Sequence, residues 1–181
     1  MSSHVALVTG GTGGIGTAIC RKLADMGHRV ATNYRDEAKA RAWQARMRER
    51  GLEVHLSRAD VADPEQCEAM VRDVEQALGP VDILVNNAGI TRDATLRKMD
   101  KAQWDAVIGV NLDRVFNLCR HAVDGMQARG FGRIVNISSV SGQTGNFGLV
   151  NYAAAKAGLH GFSMSRASDI EKPCRPALAA A

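Results

Sequence analysis

The chain has 181 residues, with 23 Lys and Arg against 19 Asp and Glu for a formal net charge of +4, 45% hydrophobic residues and 23% charged ones. That balance suits one globular domain of ordinary size and excludes an intrinsically disordered chain, a collagen-like repeat and a disulfide-stapled mini-protein. No apolar run approaches the ~20 residues that span a bilayer, so no membrane partner is expected.

Short apolar runs alternate with longer amphipathic stretches. Val5 to Thr9 reads as a buried strand and is followed at once by glycines; Thr17 to Met26 is a helix closed by Gly27. Arg29 to Tyr34 is a second strand, Asp36 to Arg50 a second helix stopped by Gly51, and Glu53 to Ser57 a third strand. Asp63 and Pro64 suit the N-cap and first turn of a helix that runs to Leu78, where Gly79-Pro80 ends it. Val81 to Asn86 is a fourth strand, Met99 to Arg129 one or two helices, and Arg133 to Ile137 a fifth strand. Ser141 to Val150, with three glycines, reads as a loop, and a last helix begins at Asn151. Strands alternating with helices of this length predict an α/β fold, a Rossmann-type doubly wound parallel sheet covered on both faces. In such a sheet ligands bind beyond the carboxyl ends of the strands.

Two further features bear on partners. Arg41, Arg46, Arg48 and Arg50 form the densest basic patch, read as a solvated helix face, so no nucleic-acid partner is expected. Cys20, Cys67, Cys119 and Cys174 form no CxxC pair and stand beside no histidine at ligand spacing, so neither a metal site nor a disulfide framework is expected. The N-terminal residues carry no basic-then-apolar signal pattern, and the reading places the protein in a reducing cytoplasm.

Thr9-Gly10-Gly11-Thr12-Gly13-Gly14-Ile15-Gly16 joins the first strand to the first helix. Glycines let the backbone turn tightly and lie against a pyrophosphate, and the helix N-terminus presents N–H groups and partial positive charge to it. At the end of the second strand, where dinucleotide folds usually carry an acid for the ribose 2′-hydroxyl, this chain has Asn33-Tyr34-Arg35. A guanidinium pairs with a 2′-phosphate, so Arg35 points to NADPH; Asp36 beside it leaves NADH open.

Further groups follow in order: Asp60-Val61 after the third strand, Asn86-Asn87-Ala88-Gly89 after the fourth, Asn111, Ser139, and Tyr152 with Lys156. With Thr9, Gly10, Gly14 and Gly16 as TGxxxGxG, Asn86 to Gly89 as NNAG, and Tyr152 to Lys156 as YxxxK, the chain resembles the short-chain dehydrogenase/reductase family from Val5 to about Met164. The resemblance implies cofactor contacts at Gly10, Gly14, Ile15, Gly16, Arg35, Asp60, Val61, Asn87, Ala88 and Gly89, with Tyr152 and Lys156 at the nicotinamide end. It implies catalytic roles for Asn111, Ser139, Tyr152 and Lys156. Ser139, rather than Ser138, stands the family's thirteen positions before the tyrosine; Asn111 matches the asparagine that organises a water relay to the lysine.

The chemistry of the pair also stands on the residues themselves. Tyr152 and Lys156 are four apart on a helix and share one face. A free tyrosine is a poor acid or base at neutral pH. A neighbouring ammonium favours the phenolate, strongly so only in a desolvated cleft. Ser139 would donate to the oxygen where charge develops. His160, one turn past Lys156, is read as packing or surface, because Tyr152 already supplies an acid.

The segments Gly89 to Asp93, Leu96 to Met99, Trp104 to Ile108, Asn136 to Val140 and Tyr152 to Phe162 resemble the ketoacyl-reducing branch of the family. Within it they are most similar to acetoacetyl-CoA reductases, which make (R)-3-hydroxybutyryl-CoA for polyhydroxybutyrate synthesis. The alternative is 3-oxoacyl-acyl-carrier-protein reductase; both reduce a β-ketoacyl thioester with NADPH. The resemblance implies substrate contacts at Ser139, Asn146, Phe147 and Tyr152, although Leu149 stands where a glutamine is usual. It stops near Met164, so residues 1–164 read as an incomplete reductase domain and 165–181 as a divergent tail, disordered or partly helical. With only 25 residues after Lys156, the chain reads as truncated or frame-shifted after the fifth strand and the following helix. That strand is then expected to be an uncovered edge. Complete members are homotetramers, and this shorter chain is expected to lack part of that assembly. A non-catalytic remnant that binds a dinucleotide is the third reading.

Overall fold

The computed structural model describes residues 3–169 and 175–179. Its sheet contains β1 (Val5–Val8), β2 (Arg29–Tyr34), β3 (Val54–Arg58), β4 (Val81–Asn86), β5 (Arg133–Ile137) and β6 (Arg175–Ala179). The order is β3-β2-β1-β4-β5-β6, and every pairing is parallel. The helices are α1 (Gly14–Asp25), α2 (Glu37–Arg48), α3 (Pro64–Leu78), α4 (Lys101–Ile108), α5 (Arg114–Ala128), α6 (Ser141–Thr144) and α7 (Val150–Asp169). Successive connections leave β1 toward β2 and β4 toward β5, so the order of the strands reverses between β1 and β4. A crevice opens at that reversal, beyond the carboxyl ends of both strands.

The period of two in the strands explains the layers. All four residues of β1 are buried. Val5 and Leu7 pack with Met70, Val71 and Val74 of α3 and with Val115, Leu118 and Ala122 of α5, and Leu159 of α7 joins that side. Ala6 and Val8 pack on the other side with Cys20 of α1 and Trp43 and Met47 of α2. Leu7, Met70, Leu118 and Leu159 are fully buried, each contributing about 1.5–3 kcal/mol of hydrophobic stabilisation. No helix among the described residues is long and apolar enough to cross a membrane.

Helix starts separate structure from function. Asp36, Asp63 and Asp100 cap α2, α3 and α4 by accepting backbone N–H groups, and Asp100 with Gln103 completes a capping box. Hydrogen bonds from the Gln66 side chain and backbone hold the Asp63 carboxyl below its ordinary range. By contrast Gly13, the N-cap of α1, offers no side-chain cap, and the first turn of α1 holds no acid. Its N–H groups and partial positive charge are therefore not offset by side chains of its own first turn.

The stretch 99–129, read as one or two helices, is two, α4 and α5, joined by a π-helical turn at Gly109–Asp113. Two expectations change. The loop expected over 141–150 contains the short α6. The expectation of an uncovered β5 edge is corrected: β6 pairs along it from Arg133↔Arg175 to Ile137↔Ala179. The first tail residues continue α7 to Asp169. Cys174 lies outside the described residues.

Candidate active site

The glycine loop is built by crowding. Gly10 has φ +66°, and a Cβ there would come 2.9 Å from the Ala88 Cα. At Gly16 a Cβ would meet the Gly10 carbonyl oxygen at 2.2 Å and the Asn87 Nδ2 at 2.9 Å, so helix and loop approach as no side chain would allow. The loop is then tied down. Gly10 N donates to Asn33 Oδ1 (2.9 Å), and Gly11 N to Thr32 Oγ1 (2.8 Å). Asn33 Nδ2 continues to Ala59 O (3.0 Å). The Thr9 hydroxyl oxygen receives Asn87 N (3.0 Å), Ala88 N (3.1 Å) and Arg114 Nη1 (3.3 Å). Asn87 Nδ2 in turn donates to Thr9 O (2.9 Å). The NNAG turn and the glycine loop are thereby one rigid piece.

A groove of about 550 Å³ runs over this piece, lined by Gly10, Gly14, Ile15, Gly16, Arg35, Asp60, Val61, Asn87, Ala88 and Gly89 among others. All ten sequence-predicted cofactor positions before Tyr152 therefore come together. Gly14 has open space where a Cβ would be. The bare start of α1, the open glycine face and the groove fit an elongated phosphate-bearing ligand such as a dinucleotide. At its far end Arg35 Nη1 lies 3.6 Å from Asp60 Oδ2, both well exposed. Such a pair is held weakly, which leaves the guanidinium available to another anion.

A second cavity, of about 220 Å³, is lined by Ile15, Asn87, Gly89, Ile90, Thr91, Ile137, Ser138, Tyr152 and Lys156. Ile15, Asn87, Gly89 and Ile90 wall both spaces. Lys156 is 2% exposed. Its ammonium donates to Ile137 O at 2.6 Å and lies 5.6 Å from the centroid of the Tyr152 ring. The start of α7 is anchored by buried Asn151, whose amide nitrogen donates to Arg92 O (3.1 Å) and Gln103 O (3.2 Å). The π-helical turn aims Asn111 inward, a placement that such turns favour at functional sites. Its Nδ2 donates to Ile90 O (2.8 Å) and Val107 O (2.9 Å). Its Oδ1 is buried with no hydrogen-bond partner. That oxygen would lie 2.7 Å, and the Lys156 Nζ 3.9 Å, from a Cβ on Gly89, so the two atoms flank the space that this glycine keeps open.

Ser139 follows Ile137 and Ser138 at the end of β5, and its hydroxyl oxygen accepts from Ser141 N (3.2 Å). Ser138, and not Ser139, lines the Tyr152 cavity. Phe147 is 89% exposed, and neither it nor Asn146 lines either space. Sequence reasoning missed Thr9 as a hub, the Asn33 clamp, buried Arg114, Asn151 and the bond between Ser138 and His160. The only available signals were polar residues beside motif positions, and those are ambiguous without the fold.

Burial pushes the Lys156 ammonium down from 10.5 to about 8, with the Arg114 charge adding to it. Between those values the native state holds fewer protons than the unfolded chain, so stability rises with pH there. The cost of burying this charge is fully present below pH 8 and fades above it. Lys156→Met is therefore expected to be more resistant to urea than wild type at pH 7, with the gap narrowing by pH 9.5. A gap independent of pH contradicts the assignment.

The sequence profile described as short chain dehydrogenase matches residues 4–173. The chain is 52% identical over 169 residues to acetoacetyl-CoA reductase of Allochromatium vinosum, covering 92% of this chain and 69% of that protein. It is 48% identical over 171 residues to acetoacetyl-CoA reductase of Cupriavidus necator, covering 94% and 70%. It is 43% identical over 166 residues to 3-oxoacyl-acyl-carrier-protein reductase of Staphylococcus aureus, covering 91% and 68%.

Proposed function

Because the chain belongs to the short chain dehydrogenase family, and so to the oxidoreductases, we propose that it is an NADPH-dependent reductase of β-ketoacyl thioesters that converts acetoacetyl-CoA to (R)-3-hydroxybutyryl-CoA. The observation that carries this reading is the shared wall of Ile15, Asn87, Gly89 and Ile90, which brings the glycine groove to the Tyr152–Lys156 cavity. The dinucleotide, when bound, supplies the hydride. The Tyr152 hydroxyl gives its proton to the ketone oxygen. The Ser139 hydroxyl, next in the chain to the cavity-lining Ser138, donates to the same oxygen as negative charge grows on it. Lys156, held by Ile137 O, stabilises the phenolate that Tyr152 becomes. Asn111 Oδ1 accepts from the relay that returns a proton toward Lys156 and Tyr152.

A CoA thioester is favoured over an acyl-carrier-protein thioester by the relatives, since identity is 52% and 48% to the acetoacetyl-CoA reductases and 43% to the other. Oxidation of NADPH by the purified chain, with each thioester offered separately, tests this. The expected result is a higher kcat/KM with acetoacetyl-CoA; a preference for the carrier-protein thioester reverses the substrate assignment.

NADPH is assigned from Arg35, which lines the groove beside Asp60. Arg35→Ala is expected to weaken NADPH binding about tenfold or more, as loss of a charge-assisted phosphate contact does, and to leave NADH binding within twofold. Equal loss for both nucleotides, measured by fluorescence titration, removes Arg35 from the 2′-phosphate.

A further inference from the structure

Ser138 is 1% exposed, and its hydroxyl stands between two groups of α7. It is 3.0 Å from the Lys156 carbonyl oxygen and 2.9 Å from His160 Nε2. A hydroxyl has one proton to give. A carbonyl has none, so the Ser138 proton goes to Lys156 O and the second contact is a donation from His160 Nε2–H. The imidazole is thereby fixed with its proton on Nε2. The opposite tautomer would draw the serine proton away and leave two bare oxygens facing each other at 3.0 Å.

Ser138 lies between two residues of the site. Ile137 on one side offers its carbonyl to the Lys156 ammonium at 2.6 Å. Ser139 on the other is the assigned oxyanion donor. The end of β5 is thus stapled to the catalytic turn of α7 twice, once by Lys156 Nζ and once by Ser138, and His160 orients the second staple. We infer that His160 is a positioning residue for the reduction: through Ser138 it sets the spacing between the end of β5, with Ser139, and the turn of α7 that carries Tyr152 and Lys156. The inference rests on the reading above for the reaction that it serves. Neither histidine nor Ser138 touches the glycine groove, so the effect belongs to chemistry rather than to nucleotide binding. Misplacement of reacting groups by fractions of an ångström lowers the chemical step steeply.

Three measurements on the full chain decide it. Nitrogen NMR of 15N-histidine protein is expected to show His160 as the Nε2–H form, altered by Ser138→Ala; the Nδ1–H form overturns the wiring. His160→Leu is expected to lower kcat about tenfold with KM and the NADPH Kd within twofold. His160→Gln, whose amide donates from the same reach, is expected to recover kcat to within about threefold of wild type. Unchanged kcat in His160→Leu overturns the inference, as does equal loss in both variants with a matching fall in melting temperature. If the wild-type chain reduces no β-ketoacyl thioester, the proposed reaction fails, and the 15Nζ titration of Lys156 decides the positioning. A midpoint moved up from about 8 in His160→Leu but not in His160→Gln supports it; identical midpoints overturn it.

Discussion

Tyr152→Phe is expected to lower kcat for acetoacetyl-CoA reduction by about 10³-fold, within the 10²–10⁴ range of a positioned general acid, while NADPH binds within twofold of wild type. Removing one oxygen leaves the ring in the cavity wall beside Ile137 and Lys156, and leaves the glycine loop untouched because its ties run through Thr9, Asn33 and Asn87. The ketone oxygen then gains electron density with no proton delivered to it. Ser139 still donates a hydrogen bond, so a residual rate remains. Stopped-flow NADPH fluorescence separates the two quantities. A variant that keeps more than a tenth of the wild-type kcat moves the acid elsewhere.

Arg114→Met is expected to raise the melting temperature by roughly 5–10 °C, from about 2–4 kcal/mol of stabilisation. Arg114 opens α5 and is fully buried. Its Nη1 reaches Thr9 at 3.3 Å, but Nε and Nη2 have no hydrogen-bond partner. Among the described residues no carboxylate forms an ion pair with it. Burial pushes the guanidinium down to about 9, so it is still charged at neutral pH and carries an uncompensated desolvation cost. Methionine fills similar space with apolar atoms next to Val115 and Leu118, which belong to the core on that side. The same change removes a positive charge that depresses Lys156. Arg114→Lys, which keeps the charge, is expected to melt no higher than wild type. A lower melting temperature for Arg114→Met would mean that the Thr9 contact outweighs the buried charge.

Much of the fold is legible from local pattern. The strands are short apolar runs, and Asp63-Pro64 and Gly79 mark the ends of α3 by capping chemistry that acts within one turn. Motif positions are legible where backbone geometry demands a residue type, as at Gly10 and Gly16. What is not legible depends on contacts distant in sequence. Asn33 reaches Gly10 across 23 positions and Arg114 reaches Thr9 across 105. The π-helical turn at Gly109–Asp113 inserts an extra residue between α4 and α5, and a reading of one or two helices over 99–129 does not locate it. His160 reads as a packing residue because its partner, Ser138, lies 22 positions earlier on a strand end. Residues 175–179 carry no strand pattern of their own, and their pairing with β5 follows from the open hydrogen-bonding groups of that strand.

The central claim is that the Tyr152–Lys156 cavity and the glycine groove form one reducing site. It is tested most directly by incubating the chain with acetoacetyl-CoA and NADPH deuterated at the transferring position of the nicotinamide. Mass spectrometry is expected to find 3-hydroxybutyryl-CoA carrying one deuterium at C3, formed by wild type and not by Tyr152→Phe. Tight NADPH binding with no deuterated product, or equal product from both chains, would contradict it.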